Sequence, residues 1–169
     1  MTRARRRLLI GLVVVAIIAV LVGAELLSGS SDSGAGRPAP QLPTSVLVPP
    51  AVHLSSLRGK PAAINFWASW CEPCRREAPE LERLNRSLNG SASVVGVDWS
   101  DSADSARAFI REHHMTYPDL RDQDGVVGQK YRLIGLPSTF ILDSHGTITR
   151  VLRGPQTAQS VRQALQSAG

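Results

Sequence analysis

The sequence of 169 residues has few aromatic side chains and only two cysteines, Cys71 and Cys74. A zinc site on these cysteines would need two more ligands, and His113 and His114 lie far along the chain on another predicted helix. The sequence also lacks a phosphate-binding glycine loop, a Ser/His/Asp pattern and a cluster of metal-binding residues. No basic stripe is interleaved with aromatic residues, so we expect no nucleic-acid partner. The cysteine pair is therefore the main candidate for chemistry.

The positive charge of the sequence is partly concentrated at its N-terminus. Lysine and arginine number 19 against 14 aspartates and glutamates, but four of the arginines lie within the first seven residues. With residues 1–36 set aside, 15 basic residues stand against 12 acidic ones. The remainder of the chain is therefore only mildly basic.

An apolar segment follows these arginines directly. It runs from Leu8 to Ala24 without a charge, and to Leu27 if one acidic residue is tolerated near a membrane interface. A membrane-spanning helix needs roughly 17–25 apolar residues, whereas the apolar part of a cleaved signal peptide has about 7–15. The length favours a retained anchor, while the small residues 22–24 keep a cleaved signal peptide as the alternative. Because the arginines are expected to stay in the cytoplasm, everything after residue 28 faces the other side of the membrane.

These features divide the sequence into four segments. Residues 28–43 are small, polar and proline-rich, which is typical of a flexible tether. We therefore predict a cytoplasmic basic segment at 1–7, a transmembrane anchor or signal peptide at 8–27, a linker at 28–43 and a folded domain at 44–169. The domain is expected to be extracytoplasmic, held at the cell membrane by a single pass, or secreted if the N-terminal segment is cleaved.

Apolar runs and helical periodicity alternate along the folded domain. Short apolar runs predict strands at 45–48, 62–67, 94–97, 138–142 and 147–152, and a short segment without an assigned structure lies at 119–120. Helical spacing of apolar residues predicts helices at 74–88, from a cap at Asp101 or Ser102 to 114, at 126–131 and at 157–167, with a helical turn at 54–57. Two β-α-β steps followed by a hairpin and a helix indicate an α/β fold with a mixed central sheet and helices on both faces.

The cysteine pair lies where the second predicted strand meets the following helix, in the run Trp70-Cys71-Glu72-Pro73-Cys74. A helix N-terminus carries about half a positive charge, and a thiolate there has its pKa lowered from about 8.5 to roughly 3.5–7.5. The first cysteine of such a turn is expected to be the exposed one. We therefore assign Cys71 as the attacking nucleophile and Cys74 as the resolving thiol. A structural disulfide is the alternative, although so small a ring stabilises little in the chain-entropy model.

The segment from Asn65 to Glu77 resembles the active-site segment of the thioredoxin superfamily, and more narrowly that of the TlpA/ResA/CcmG-like membrane-anchored extracytoplasmic proteins. The likeness covers about residues 41–169 and includes residues 135–140, which resemble the cis-proline loop of the family. It implies a thioredoxin-like fold, a cis peptide bond before Pro137 and a tryptophan over the cysteine pair. It also implies substrate contacts from Trp70, Glu72, Pro73, Leu136 and Pro137.

Two positions in the resembling segment carry information about proton transfer. Thioredoxin itself has a buried acid where this chain has Asn65, which cannot exchange a proton. The ResA-like proteins resemble this chain in carrying a glutamate three residues after the second cysteine, here Glu77. Residues at this spacing share a helix face, so we expect Glu77 to accept a proton from Cys74 or to tune Cys71. The alternative is an ordinary first-turn glutamate that the helix dipole favours.

The resemblance implies an enzyme, a thiol–disulfide oxidoreductase with no cofactor beyond its own redox-active disulfide. The ResA-like likeness favours a reductase that receives electrons from a CcdA- or DsbD-like membrane thiol donor. Its implied substrate is apocytochrome c, whose Cys-x-x-Cys-His must be reduced before haem attachment, or another exported thiol protein. The first alternative is an oxidase that introduces disulfides into exported proteins, and the second is a non-catalytic thioredoxin-like copper or haem chaperone.

Overall fold

A six-residue apolar strand, β3 at Ala62–Trp67, forms the centre of the fold in a computed structural model that describes residues 35–169. Every side chain of β3 is buried. The strand pairs in parallel with β4 (Ser93–Trp99) and antiparallel with β6 (Ser138–Leu142). A strand covered on both faces is expected to be a continuous apolar run, which explains why its sequence does not alternate.

The remaining strands complete a mixed sheet of seven strands. On one side β4 pairs in parallel with β5 (Asp119–Asp122), which pairs antiparallel with the edge strand β2 (Ser45–Val48). On the other side β6 and β7 (Thr147–Arg153) form the predicted hairpin, and β7 pairs with β1 (Arg37–Pro38). The strand order is β1-β7-β6-β3-β4-β5-β2.

Helices pack on both faces of this sheet. The helices α1 (Glu72–Ser87) and α2 (Ala103–Glu112) bury apolar side chains in the same cluster as the C-terminal helix Ala158–Gln166. The opposite cluster receives side chains from the 3₁₀ helix Leu54–Leu57 and from α3 (Val126–Tyr131). The C-terminal helix is α4. The prediction of an α/β fold with a mixed sheet covered on both faces is confirmed.

Capping residues decide where the helices begin. Helix α1 starts two residues before the predicted position because Cys71 is its N-cap, so Cys74 lies inside the first turn. Of the two candidate caps of α2, Ser102 takes the role, with its hydroxyl accepting a hydrogen bond from the backbone N–H of Ser105. Asp101 is thereby free to bond elsewhere.

The predicted linker at 28–43 is wrong in its second half. Arg37 lies opposite Ile148 in the β1–β7 pair, and its guanidinium donates to the carbonyl of Tyr131 at 2.7 Å. Ala39 and Leu42 are buried in the cluster that contains α3. Proline is compatible with an edge strand because it gives up an N–H that an edge position need not pair. The folded domain therefore begins before residue 37 rather than at 44.

The predicted membrane anchor at 8–27 lies outside the described residues. Within residues 35–169, no helix has both the length and the apolar character needed to span a bilayer.

Candidate active site

The two cysteines lie at the junction of β3 and α1 and form a disulfide, with their Cα atoms 5.3 Å apart. Both are buried in this oxidised state, with exposed fractions of 4% for Cys71 and 2% for Cys74. Exposure therefore does not distinguish an attacking sulfur from a resolving one. The expectation that Cys71 is the exposed cysteine of the pair is wrong for this oxidised state.

Hydrogen bonding does distinguish the two sulfurs. The Sγ of Cys71 accepts a hydrogen bond from the backbone N–H of Cys74 at 3.2 Å, which is the capping bond of α1. The N–H groups of a helix N-terminus favour negative charge, so this position stabilises a thiolate on Cys71 when the disulfide is reduced. The N–H of Cys71 bonds to the carbonyl of Ala68 at 3.1 Å, which fixes the turn that presents it.

A second set of bonds holds the loop before the cysteines. The N–H of Ser69 donates to Oδ2 of Asp101 at 2.7 Å, and the carbonyl of Ser69 accepts from Nη2 of Arg75 at 3.3 Å. Arg75 also donates to both carboxylate oxygens of Glu112 at 3.0 Å. The loop is thus tied to the start of α2 on one side and to α1 on the other.

The two residues between the cysteines lie at the surface. Glu72 is exposed, with its carboxylate 3.8 Å from Arg75 and 3.6 Å from Arg76, and Pro73 is half-buried. Exposed pairs of this kind contribute little to stability. Glu72 and Pro73 are therefore accessible to a partner.

Trp70 is 60% exposed and does not join the core. Its ring lies 6.4 Å from that of Trp99, so it leans towards the end of β4. The neighbouring Trp67 is buried and stacks on Phe109 with ring centroids 4.6 Å apart. The two tryptophans before the cysteines thus have different surroundings, one facing solvent and one in the core.

The loop before β6 lies at the same end of the sheet, because Ser138 pairs with Phe66 near the end of β3. The Leu136–Pro137 peptide bond is cis, as the resemblance implied. Leu136 is half-buried and packs against the cluster that includes both cysteines. Ile134, which the sequence did not single out, is 76% exposed in this loop.

Glu77 is buried beneath the active-site turn, with an exposed fraction of 1%. Its Oε2 accepts from the side-chain amide of Asn65 at 2.8 Å, and its Oε1 accepts from the backbone N–H of Gln156 at 3.0 Å. The same Asn65 amide donates to the hydroxyl of Thr139 at 3.0 Å. Burial raises the pKa of Glu77 to about 7, against the opposing effect of the two hydrogen bonds. Glu77 is therefore not an ordinary first-turn glutamate, since it lies beyond the first turn and can exchange a proton near neutral pH.

Two further buried acids on the same face of the sheet were missed by sequence reasoning. Asp119 accepts from the indole N–H of Trp67, with its Oδ2 at 3.1 Å, and burial raises its pKa well above the usual value. Gly96 makes room for it, because a Cβ there would lie 2.0 Å from Oδ2 of Asp119. Asp98 is the second acid. It follows the apolar run 94–97 directly. A carboxyl at the end of a predicted buried strand is the sequence feature from which Asp98 could have been identified.

The fold and the disulfide at the start of α1 define a thioredoxin-like thiol–disulfide oxidoreductase. The chain belongs to the AhpC/TSA family, which matches residues 35–151. It is 33% identical over 133 residues to the thioredoxin-like protein YneN of Bacillus subtilis, covering 77% of this chain and 78% of that protein.

Two more proteins illustrate the breadth of the similarity. The thiol–disulfide oxidoreductase ResA of Bacillus cereus is 25% identical over 167 residues, which is 96% of each chain. The solved structure of MTB DsbF superimposes with a TM-score of 0.69 at 28% identity, covering 76% of this chain and 96% of that one. The likeness to the TlpA/ResA/CcmG-like class, the thioredoxin-like fold and the enzyme class predicted from the sequence are confirmed. The non-catalytic chaperone interpretation is not supported.

Proposed function

We propose that this oxidoreductase works as a reductase of exported proteins, with apocytochrome c as the principal substrate. The single observation that carries the direction is the buried carboxyl of Glu77, which lies one helical turn from Cys74. A strongly oxidising couple is one whose reduced form is stabilised. Buried acids beneath the cysteines oppose the build-up of negative charge on a thiolate, so they favour the disulfide form and make the dithiol the better reductant.

The proposed cycle assigns one role to each sulfur. The thiolate of Cys71 attacks one sulfur of the substrate disulfide, forms a mixed disulfide and releases the first substrate thiolate. Cys74 then passes its proton to the carboxylate of Glu77 and attacks Sγ of Cys71. The second substrate thiolate leaves and takes up the proton from Glu77. The substrate gains two electrons and the enzyme is left with the Cys71–Cys74 disulfide, which a CcdA- or DsbD-like membrane dithiol reduces again, without any cofactor besides the disulfide.

The proposed substrate surface surrounds the disulfide. Among residues 35–169 the exposed large hydrophobic side chains are those of Trp70, Val126 and Ile134. Trp99 connects Trp70 with Val126, because it contacts Trp70 and because its indole N–H lies 3.5 Å from the carbonyl of Gly125, next to Val126. We assign substrate contacts to this apolar surface together with the predicted residues. The predicted contacts are Trp70, Glu72, Pro73, Leu136 and Pro137.

The proposed location is the extracytoplasmic face of the cell membrane, with residues 8–27 as a single-pass anchor. The arginine-flanked apolar segment supports this proposal. A reporter that is active only outside the cytoplasm, fused after residue 169, tests the orientation. Alkaline extraction of membranes separates an anchored chain from a cleaved one, and a chain found in the soluble fraction would replace the anchor with a signal peptide.

The direction of electron flow is tested by two measurements on the full-length protein. The first is the equilibrium with glutathione, for which a reductase gives a potential well below that of known oxidants. The second is trapping of mixed disulfides with Cys74→Ser, with Cys71→Ser/Cys74→Ser as the matched control. We expect c-type apocytochromes in the trap. An oxidising potential together with assorted exported proteins in the trap would establish the oxidase instead.

A further inference from the structure

Asp98 is a buried carboxyl close to the active-site loop. It lies opposite Trp67 in the parallel register of β3 and β4, and its exposed fraction is 0%. Within the described residues neither of its carboxyl oxygens has a partner at full hydrogen-bond geometry, and the neighbouring carboxyl that can share the proton of the neutral form is that of Asp101. An ionised carboxylate without a partner is strongly disfavoured in such a place. Burial, with a further contribution from Asp101, raises the pKa of Asp98 to about 8.

Arg121 faces this carboxyl from the neighbouring strand β5. Its Nε lies 3.7 Å from Oδ2 of Asp98, within ion-pair range but too far for a hydrogen bond. This Nε also has no acceptor among residues 35–169. The two terminal nitrogens are engaged, Nη1 with the side chain of Gln123 and Nη2 with the carbonyl of Asp101, both at 2.6 Å. The buried Nε of Arg121, a donor, therefore faces the buried Oδ2 of Asp98, an acceptor. A small movement of the guanidinium would shorten their separation to a hydrogen bond.

Among residues 35–169, the other groups around Asp98 offer it no second cation. Asp119 and Asp122 face it from β5, and Asp101 faces it from the loop before α2. From β3 it meets the neutral ring of Trp67 at the paired register position. Asp101 and Asp122 oppose ionisation of Asp98, so within the described residues Arg121 is the group that an ionised Asp98 can attract.

Arg121 is connected to the cysteine loop through Asp101. Nη2 of Arg121 holds the carbonyl of Asp101, and the carboxylate of Asp101 holds the N–H of Ser69 at 2.7 Å. Ser69 precedes the cysteine pair by two residues, and its carbonyl is bonded to Arg75, which follows the pair directly. The guanidinium is therefore linked by hydrogen bonds to the backbone of Ser69 before the disulfide, and through the Ser69 carbonyl to the side chain of Arg75 after it.

We propose that Asp98 is a positioning residue of the exchange site. Its ionisation draws Nε of Arg121 into a hydrogen bond, and the movement passes through Asp101 to the backbone of Ser69 and hence to Cys71. The event transfers one proton from Asp98 to solvent and changes no covalent bond. It depends on disulfide exchange at the cysteines but not on the reducing direction proposed above, so the two proposals can fail separately.

The amide resonance of Ser69 in ¹³C,¹⁵N-labelled, full-length, oxidised protein tests this coupling between pH 6.5 and 9.5. In the unmodified protein we expect this resonance to shift with a midpoint near pH 8. Asp98→Asn, which is isosteric with the neutral carboxyl, should lose the shift. Arg121→Gln should also lose it, although the side-chain ¹³C resonance of Asp98 should still titrate. Asp124→Asn, which removes an exposed carboxylate from the neighbouring loop, should behave like the unmodified protein.

A kinetic measurement tests whether the ionisation of Asp98 also affects the reactivity of Cys71. The reaction rate of reduced Cys71 with a small disulfide should show an inflection near pH 8 that Asp98→Asn loses and Asp124→Asn keeps. A Ser69 amide that does not move over this pH range overturns the proposal. So does a shift of equal size in Asp98→Asn, because some other group would then be the one that titrates.

Discussion

The side-chain amide of Asn65 donates a hydrogen bond to the carboxyl of Glu77 across 2.8 Å, and both residues are buried. Where thioredoxin carries an acid on the strand, this chain carries an amide on the strand and the acid on the helix. Burial moves the pKa of this helix carboxyl to about 7, where a small change in pH alters its charge.

Replacement of Glu77 by glutamine should slow the collapse of the mixed disulfide. In the unmodified protein the rate should rise with pH through about 7, because only the ionised carboxyl accepts the proton of Cys74. Glu77→Gln should remove this inflection and lower the rate at pH 7 by roughly 10²-fold. Stopped-flow release of glutathione from its mixed disulfide with Cys71 measures the step. Asp104→Asn, an exposed change on α2, is the matched control, and an unaltered profile in Glu77→Gln would remove the acceptor role.

The same carboxyl should make stability depend on pH. The pKa of Glu77 is raised from its ordinary 4.5 to about 7 in the folded state, so between these values the folded chain holds a proton that the unfolded chain has lost. The free energy of unfolding should therefore fall as pH rises through this window, by about 3 kcal/mol in all from this group. Urea denaturation of the oxidised protein at pH 4.5 to 7.5 measures this contribution as the difference in pH dependence between the unmodified protein and Glu77→Gln. Identical pH dependences would show that Glu77 does not titrate in this range.

Removal of an exposed apolar side chain from the surface around the disulfide should affect large substrates only. Ile134→Ser should lower the rate of exchange with an unfolded, disulfide-bonded polypeptide several-fold, because a side chain exposed to this extent gains more from burial against a partner than from the fold. Its rate with a small-molecule disulfide and its stability should stay within error of the unmodified protein. Val126→Ser should behave in the same way at the other end of the surface. An equal loss with both kinds of substrate would mean that the variant disturbs the cysteines and not the binding surface.

The revised boundary of the folded domain can be tested in the full-length chain. Leu42 is buried within the segment that the sequence predicted to be a linker. Leu42→Ala should therefore lower the free energy of unfolding by about 2 kcal/mol or more, as truncation of a core leucine does. Gln41→Ala, at the exposed neighbouring position, should change it by less than about 0.5 kcal/mol. Equal and small effects in a urea titration would restore the boundary at residue 44.

Local sequence patterns were sufficient to predict the bounds of an element wherever one physical preference, such as apolar burial or turn formation, determined them. Strand β3, helix α3 and strand β6 have the predicted bounds because apolar runs and turn residues delimit them clearly. The start of helix α1 was predicted two residues too late, because a cysteine, which is not among the usual capping residues, acts as its N-cap. β1 was missed because a two-residue, proline-containing edge strand has no periodicity and becomes visible only through its pairing with β7.

The sequence by itself determined the chemistry, since two cysteines at a strand–helix junction leave little besides thiol–disulfide exchange. The resemblance to the ResA-like proteins pointed to Glu77, and the spacing of three residues on a helix placed it on the same face as Cys74. Only the tertiary structure decided which groups surround that chemistry. Asn65 reaches Glu77 from a different element, and Asp98 meets Arg121 from the next strand. The reason is physical: pKa values and unpaired buried groups depend on burial and on partners distant in sequence, and the sheet brings these together only when the chain folds.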